Sequence, residues 1–177
     1  KLSLTVNLLI MPKKVFIKSW GCQMNVRDSE VIEGLLANNG YRLTDSDKEA
    51  DIIIFNTCSV RQHAEDKVWS EIGRLKAKGP SRRLRTNHAN KKIIGVIGCM
   101  AQNYKQDIFK RAPSVDFVAG PSDIDKIPEI VKKLSVVGCQ LSDKNLFETK
   151  IWETDGEARP EEIYHTGFYE DKNHAYV

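Results

Sequence analysis

The stretch Ala50–Arg61, ADIIIFNTCSVR, constrains this chain more than any other. Ile52, Ile53, Ile54 and Phe55 form an unbroken apolar run rich in β-branched residues. Such a run predicts a strand buried on both faces, as in the middle of a parallel sheet. It stops at Asn56-Thr57-Cys58-Ser59, a polar turn able to cap a following helix, so Cys58 belongs at the carboxyl edge of a central strand. The arrangement occurs twice more: Val15–Trp20 runs into Gly21-Cys22, and Ile93–Ile97 runs into Gly98-Cys99. A strand, a turn and a cysteine in triplicate point to one rim of an open α/β sheet, where such sheets bind ligands.

Between these strands the periodicity is helical. Val31, Ile32, Leu35 and Leu36 repeat at helix spacing before Asn38-Asn39-Gly40 gives a stop, and Tyr41–Leu43 is a short strand candidate. A helix from about His63 to Lys78 turns Val68, Ile72 and Leu75 inward and ends at Gly79-Pro80. Another, from Ala101 to Arg111, presents Tyr104, Ile108 and Phe109. Val115–Gly120 is a fifth strand, and Pro121-Ser122-Asp123 opens a last helix with Ile124, Ile127, Ile130, Val131 and Leu134 on its apolar side.

This alternation predicts an α/β fold, a flavodoxin-like or Rossmann-like parallel sheet of five strands in the order 2-1-3-4-5 with helices on both faces. Strands 1, 3 and 4 are then neighbours about 5 Å apart, which brings Cys22, Cys58 and Cys99 within about 10 Å of one another. The expected division is an N-terminal extension over residues 1–12, a domain over 13–139 and an acidic linker over 140–177. Met11 is expected close to the natural start. The linker is turn-rich, with scattered aromatics Trp152, Tyr164, Phe168 and Tyr169, and Ala175-Tyr176-Val177 resembles the start of a further strand.

Charge separates the same regions. Residues 1–139 hold 23 Lys+Arg against 15 Asp+Glu, and residues 140–177 hold 4 against 9, within a formal net of +3. The basic Ser81–Lys92 stretch, SRRLRTNHANKK, is expected on the surface, as a solvated insertion or an RNA-phosphate contact. No apolar run approaches the roughly 18–20 residues of a membrane helix, and Leu2–Met11 has no small-residue cleavage site. The expected compartment is the reducing cytoplasm, where four cysteines are too few for a disulfide scaffold and suit metal or redox chemistry.

A cysteine placed where a strand gives way to a helix is near backbone N–H groups and a positive dipole end, which favour thiolate; Arg27 and Arg61 would add to this. Three soft ligands without a neighbouring histidine suit an iron–sulfur cluster better than zinc. A [4Fe–4S] cluster normally takes four cysteines, so three leave one iron open. Zinc with Cys139 or His63 as fourth ligand, three cysteines serving only as small core residues, and FMN at the first loop are the competing readings. Cys139, after the last helix, is expected to be a bystander. Neither G-x-G-x-x-G nor G-x-x-x-x-G-K-[ST] occurs.

GCQMN (Gly21–Asn25), NTCSVR (Asn56–Arg61) and GCMAQ (Gly98–Gln102), in this order on these strand ends, resemble the N-terminal domain of the methylthiotransferases, which are radical-SAM enzymes. The likeness covers about Lys13–Val137. It is closest to the branch that adds a methylthio group to C2 of N6-isopentenyladenosine 37 in tRNA; the branches acting on threonylcarbamoyladenosine or a ribosomal-protein aspartate are the alternatives. A non-catalytic flavodoxin-like metal-binding module is the alternative of another class. The resemblance implies that Cys22, Cys58 and Cys99 bind an auxiliary [4Fe–4S] cluster whose open iron carries the sulfur to be inserted. It also implies a second [4Fe–4S] cluster and S-adenosylmethionine on a C-x-x-x-C-x-x-C motif, with tRNA as partner and no membrane. That motif does not occur in these 177 residues, so the chain by itself is expected to be inactive.

Overall fold

Strand β3 (Ile52–Thr57) is buried along its whole length because alternate residues feed two separate cores. The computed structural model describes residues 12–59, 62–78, 92–140 and 150–154. Ile52 and Ile54 pack with Val31, Ile32 and Leu36 of helix α1 (Gln23–Asn38) and with Ile127, Ile130 and Val131 of helix α5 (Ile127–Gln140). Ile53 and Phe55 face the opposite way, toward Val68 and Ile72 of helix α2 (Gln62–Lys78) and Met100 and Ile108 of two short helices, α3 (Cys99–Tyr104) and α4 (Asp107–Arg111). Each such side chain taken out of water contributes about 1.5–3 kcal/mol. Four in a row make β3 the axis of the fold.

The other strands are β1 (Lys14–Trp20), β2 (Arg42–Leu43), β4 (Ile93–Ile97), β5 (Phe117–Ala119) and β6 (Ile151–Glu153). All pair in parallel, in the order β2-β1-β3-β4-β5-β6. The expected 2-1-3-4-5 sheet is therefore present, and a sixth strand extends it. That strand falls in the stretch expected to be linker. Backbone groups dock it: the Gly120 N–H donates to the Glu153 carbonyl at 2.6 Å, and the Gln102 side chain donates to the Thr154 carbonyl at 2.7 Å. Its central Trp152 is 46% exposed, so β6 has no apolar run to betray it.

Three further expectations change. The helix predicted over Ala101–Arg111 is broken in two, because Lys105 takes a left-handed step (φ +46°) that a right-handed helix cannot contain. The last helix is preceded by a tight 3₁₀ turn over Pro121–Lys126, kinked at Asp123. Lys92, assigned from sequence to the basic loop, instead works inside the fold: its ammonium donates to the carbonyls of Asp47, Lys48 and Ala50 at 2.8, 2.8 and 2.6 Å. The predicted extension up to Met11, the remainder of the basic stretch, and the tail with Tyr164, Phe168, Tyr169 and Ala175–Val177 lie outside the described residues.

Gly95, central in β4, is required by contact. A Cβ there would lie 2.1 and 2.3 Å from ring atoms of the fully buried Phe117. Gly95→Ala is expected to lower stability by about 1–3 kcal/mol, seen as a lower denaturation midpoint at unchanged slope; an unshifted midpoint would contradict this packing.

Candidate metal centre

Strand register sets the level at which each cysteine leaves the sheet. Trp20 of β1 lies opposite Thr57 of β3, and Asn56 of β3 lies opposite Ile97 of β4. Cys58 follows directly on Thr57, Cys22 comes two residues after Trp20, and Cys99 two residues after Ile97. All three therefore emerge from adjacent strands at one rim. The β1–β3 ladder persists to that point, with the Cys58 N–H donating to the Trp20 carbonyl at 3.1 Å.

Two glycines let the loops close over one another. A Cβ at Gly21 would stand 2.7 Å from the Cys58 Cβ and 2.3 Å from Asn25 Oδ1. One at Gly98 would stand 2.6 Å from Asn56 Oδ1 and 2.8 Å from the Thr57 carbonyl oxygen, and Gly98 also holds φ +90°, which side chains disfavour. Cys22 then caps α1, and Cys99 begins α3. Cys58 is buried at 4% exposure, Cys99 is half-buried and Cys22 is exposed.

Burial pushes the Cys99 thiol up, and the charges of Cys58, Cys22 and Asp28 push it further; the Ser59 backbone N–H pulls only partly back. The expectation that the helix terminus would favour thiolate is overturned for Cys99. Desolvation and the neighbouring charges run against that expectation. Of the two arginines invoked for this purpose, Arg27 pairs with Glu30 at 3.6 Å, and Arg61 lies outside the described residues.

Polar groups that the sequence did not single out line both sides. On one side the fully buried Asn56 and the 2%-exposed Asn25 hydrogen-bond through their amides at 2.9 Å. On the other, the buried carboxylate of Glu65 accepts from the Ser59 hydroxyl and the Tyr104 hydroxyl, each at 2.9 Å, and Asn103 donates to Ser59 at 3.2 Å. The Glu65 bond is the chief cause raising the Tyr104 phenol. Glu65 looked like an ordinary acidic residue in a first helical turn; the asparagines sat inside the cysteine motifs, and polar residues closing an apolar strand were the available signal. His63 is exposed on α2, and the Cys139 side chain lies outside those described. Among the described residues, no three of His, Cys, Asp and Glu form a group that could hold a metal ion.

The family described as "Uncharacterized protein family UPF0004" matches residues 14–120, a span that contains all three rim cysteines. Among curated proteins, a "tRNA-2-methylthio-N(6)-dimethylallyladenosine synthase" of Rhodopirellula baltica is 44% identical over 128 residues, 72% of this chain and 25% of the relative. Proteins of the same name from Rickettsia prowazekii (43% over 157 residues, 89% of this chain and 34% of the relative) and Bartonella quintana (41% over 124 residues, 70% and 26%) are also similar. The chain thus spans about a quarter to a third of the length of these relatives.

Because Cys99 is held up partly by the other two cysteines, its alkylation in the metal-free protein is expected to set in at higher pH than that of a free cysteine. Replacing Cys58 or Cys22 by serine should move that onset down. Iodoacetamide labelling against pH, read by mass spectrometry at Cys99, checks both. An onset indifferent to both substitutions would mean that the thiols do not sense one another.

Proposed function

The chain belongs to the uncharacterized protein family UPF0004, the N-terminal domain of the methylthiotransferases, and from this we propose that it is the sulfur-donating domain of a tRNA methylthiotransferase. The proposed reaction of the full-length enzyme adds a methylthio group to C2 of N6-isopentenyladenosine 37 in tRNA, in keeping with the name its relatives carry. The observation that carries the reading is the exit of three cysteines from three adjacent strands at one rim, close enough for Cys99 to be perturbed by the other two.

Cys22, Cys58 and Cys99 would hold an auxiliary [4Fe–4S] cluster, which when bound supplies one iron without a protein ligand, where a sulfur or methylthio group can be carried. The donor set fits. A single zinc ion draws its sulfurs in to about 2.3 Å from one centre. A cluster interposes its own irons and sulfides, so its thiolates stand farther apart than those around a single ion. Cys58 anchors the floor from its buried position, Cys99 stands at mid-depth, and Cys22 forms the open side. The Ser59 N–H, aimed at Cys99, would hold that sulfur in place.

Generation of a radical from S-adenosylmethionine on a second cluster is proposed to belong to another part of the protein, since C-x-x-x-C-x-x-C does not occur in these 177 residues. The chain alone is then unable to turn over: abstracting a hydrogen from an aromatic C–H requires a cofactor radical, and side chains supply placement and electrostatics. tRNA as substrate implies the cytoplasm, and no described helix is long and apolar enough to cross a membrane.

Anaerobic reconstitution with iron and sulfide is expected to load about four irons per chain, counted chemically and by Mössbauer spectroscopy. Cys58→Ala should lose most of them. Retention of about four irons by that variant would refute the ligand assignment.

A further inference from the structure

We propose that the Asn25–Asn56 amide pair is a positioning device that sets the spacing of the three thiols, a role that rests on the reading of those thiols as ligands of one cluster. Asn25 Nδ2 donates to Asn56 Oδ1 at 2.9 Å. Asn56 Nδ2 donates in turn to the Asn25 backbone carbonyl at 2.8 Å and to the Ser29 hydroxyl at 3.0 Å. These bonds fix which way each amide points. The oxygen of Asn25 is thereby directed at Cys22, where it accepts the backbone N–H at 3.2 Å and the thiol at 3.4 Å.

The pair also reaches the segments that carry the other two cysteines. Asn56 lies two residues before Cys58 in β3 and is buried completely. Gly98, which precedes Cys99, packs so tightly on the pair that a Cβ there would lie 2.6 Å from Asn56 Oδ1 and 3.3 Å from Asn25 Nδ2. Gly21, which precedes Cys22, packs on Asn25 Oδ1. One buried pair therefore abuts all three cysteine-bearing loops, which are separated by 36 and 41 positions in sequence.

An amide suits this place for a chemical reason. It donates and accepts at once, so it can bridge the Cys22 N–H, a donor, to Asn56 Oδ1, an acceptor. It is also neutral and adds no charge beside sulfurs that already repel. Aspartate has the same shape, cannot donate when ionised and brings a negative charge. Asn56→Asp therefore separates positioning from mere filling of space.

The experiment uses isotopically labelled chain, first without metal. Amide hydrogen exchange in Asn56→Asp is expected to quicken about tenfold at Cys22, Cys58 and Gly98 together, while Asp116 and Gly120 in the β4–β5–β6 ladders keep their protection. After loading with iron and sulfide, loss of iron to a chelator should be about 10–100-fold faster than in the parent. Parent-like exchange at Cys58 and Gly98, or parent-like iron retention, would overturn the proposal while leaving the three-cysteine centre intact. Should the parent itself take up no cluster, the underlying reading falls, and exchange alone decides the amide pair: joint acceleration supports it and parent-like rates overturn it. Asn25→Ser, which removes the donor without burying a charge, is measured in the same way and gives the answer if Asn56→Asp does not fold.

Discussion

Parallel pairing of β1, β3 and β4 in a single register is the interaction on which the rest depends. Side chains along a strand alternate between faces, so a slip of one residue would carry Ile53 and Phe55 into the core that receives Ile52 and Ile54. Both cores are filled, and each is closed by different helices. The slip is therefore opposed by the burial of every apolar side chain in β3. The same register determines how far Cys22, Cys58 and Cys99 stand beyond the sheet. Packing deep in the domain thus dictates geometry at the rim, and no separate device is needed to bring three distant cysteines to one level.

Level alone does not place sulfur atoms, and the last residues of the strands take up that task. At Asn56 and Thr57 the apolar run gives way to polar side chains that remain wholly buried. Buried polar groups must find partners, and here the partners belong to the neighbouring cysteine loops. On the far side Glu65 links Ser59, which follows Cys58, to Tyr104 of the helix that Cys99 begins. Between them, burial and the charges of Cys58, Cys22 and Asp28 make ionisation of Cys99 costly. A group that brings positive charge to the three sulfurs relieves that cost, which is the electrostatic case for a metal-containing occupant.

What the sequence made legible follows the strength of each physical signal. β1, β3 and β4 are long and rich in β-branched residues, and the Gly-Cys or Thr-Cys that ends each of them marks the rim without ambiguity. The strand order is the commonest of the few topologies that right-handed crossovers leave for five such strands. β6 escaped because three residues held by backbone bonds, with Trp152 half in solvent, leave no pattern in side-chain hydropathy. The break at Lys105 escaped because apolar spacing across Tyr104 and Ile108 fits one helix as well as two. Asn25, Asn56 and Glu65 were visible as letters inside or beside the motifs, but their roles arise from contacts between segments 27 to 44 residues apart. The direction of the Cys99 shift was misjudged for the same reason: a helix terminus is a local feature, while burial and the neighbouring thiols are tertiary ones.

Unequal burial of the three cysteines also gives the site a direction. Cys58 is sealed from below by the strand end and from the side by Gly21, whose missing side chain leaves room for nothing but the cysteine itself. Cys99 is half covered, and only Cys22 meets solvent openly, at the start of α1. The strand end and the fully buried Asn56 close the side on which Cys58 lies, while the two hydrogen-bond networks flank the site.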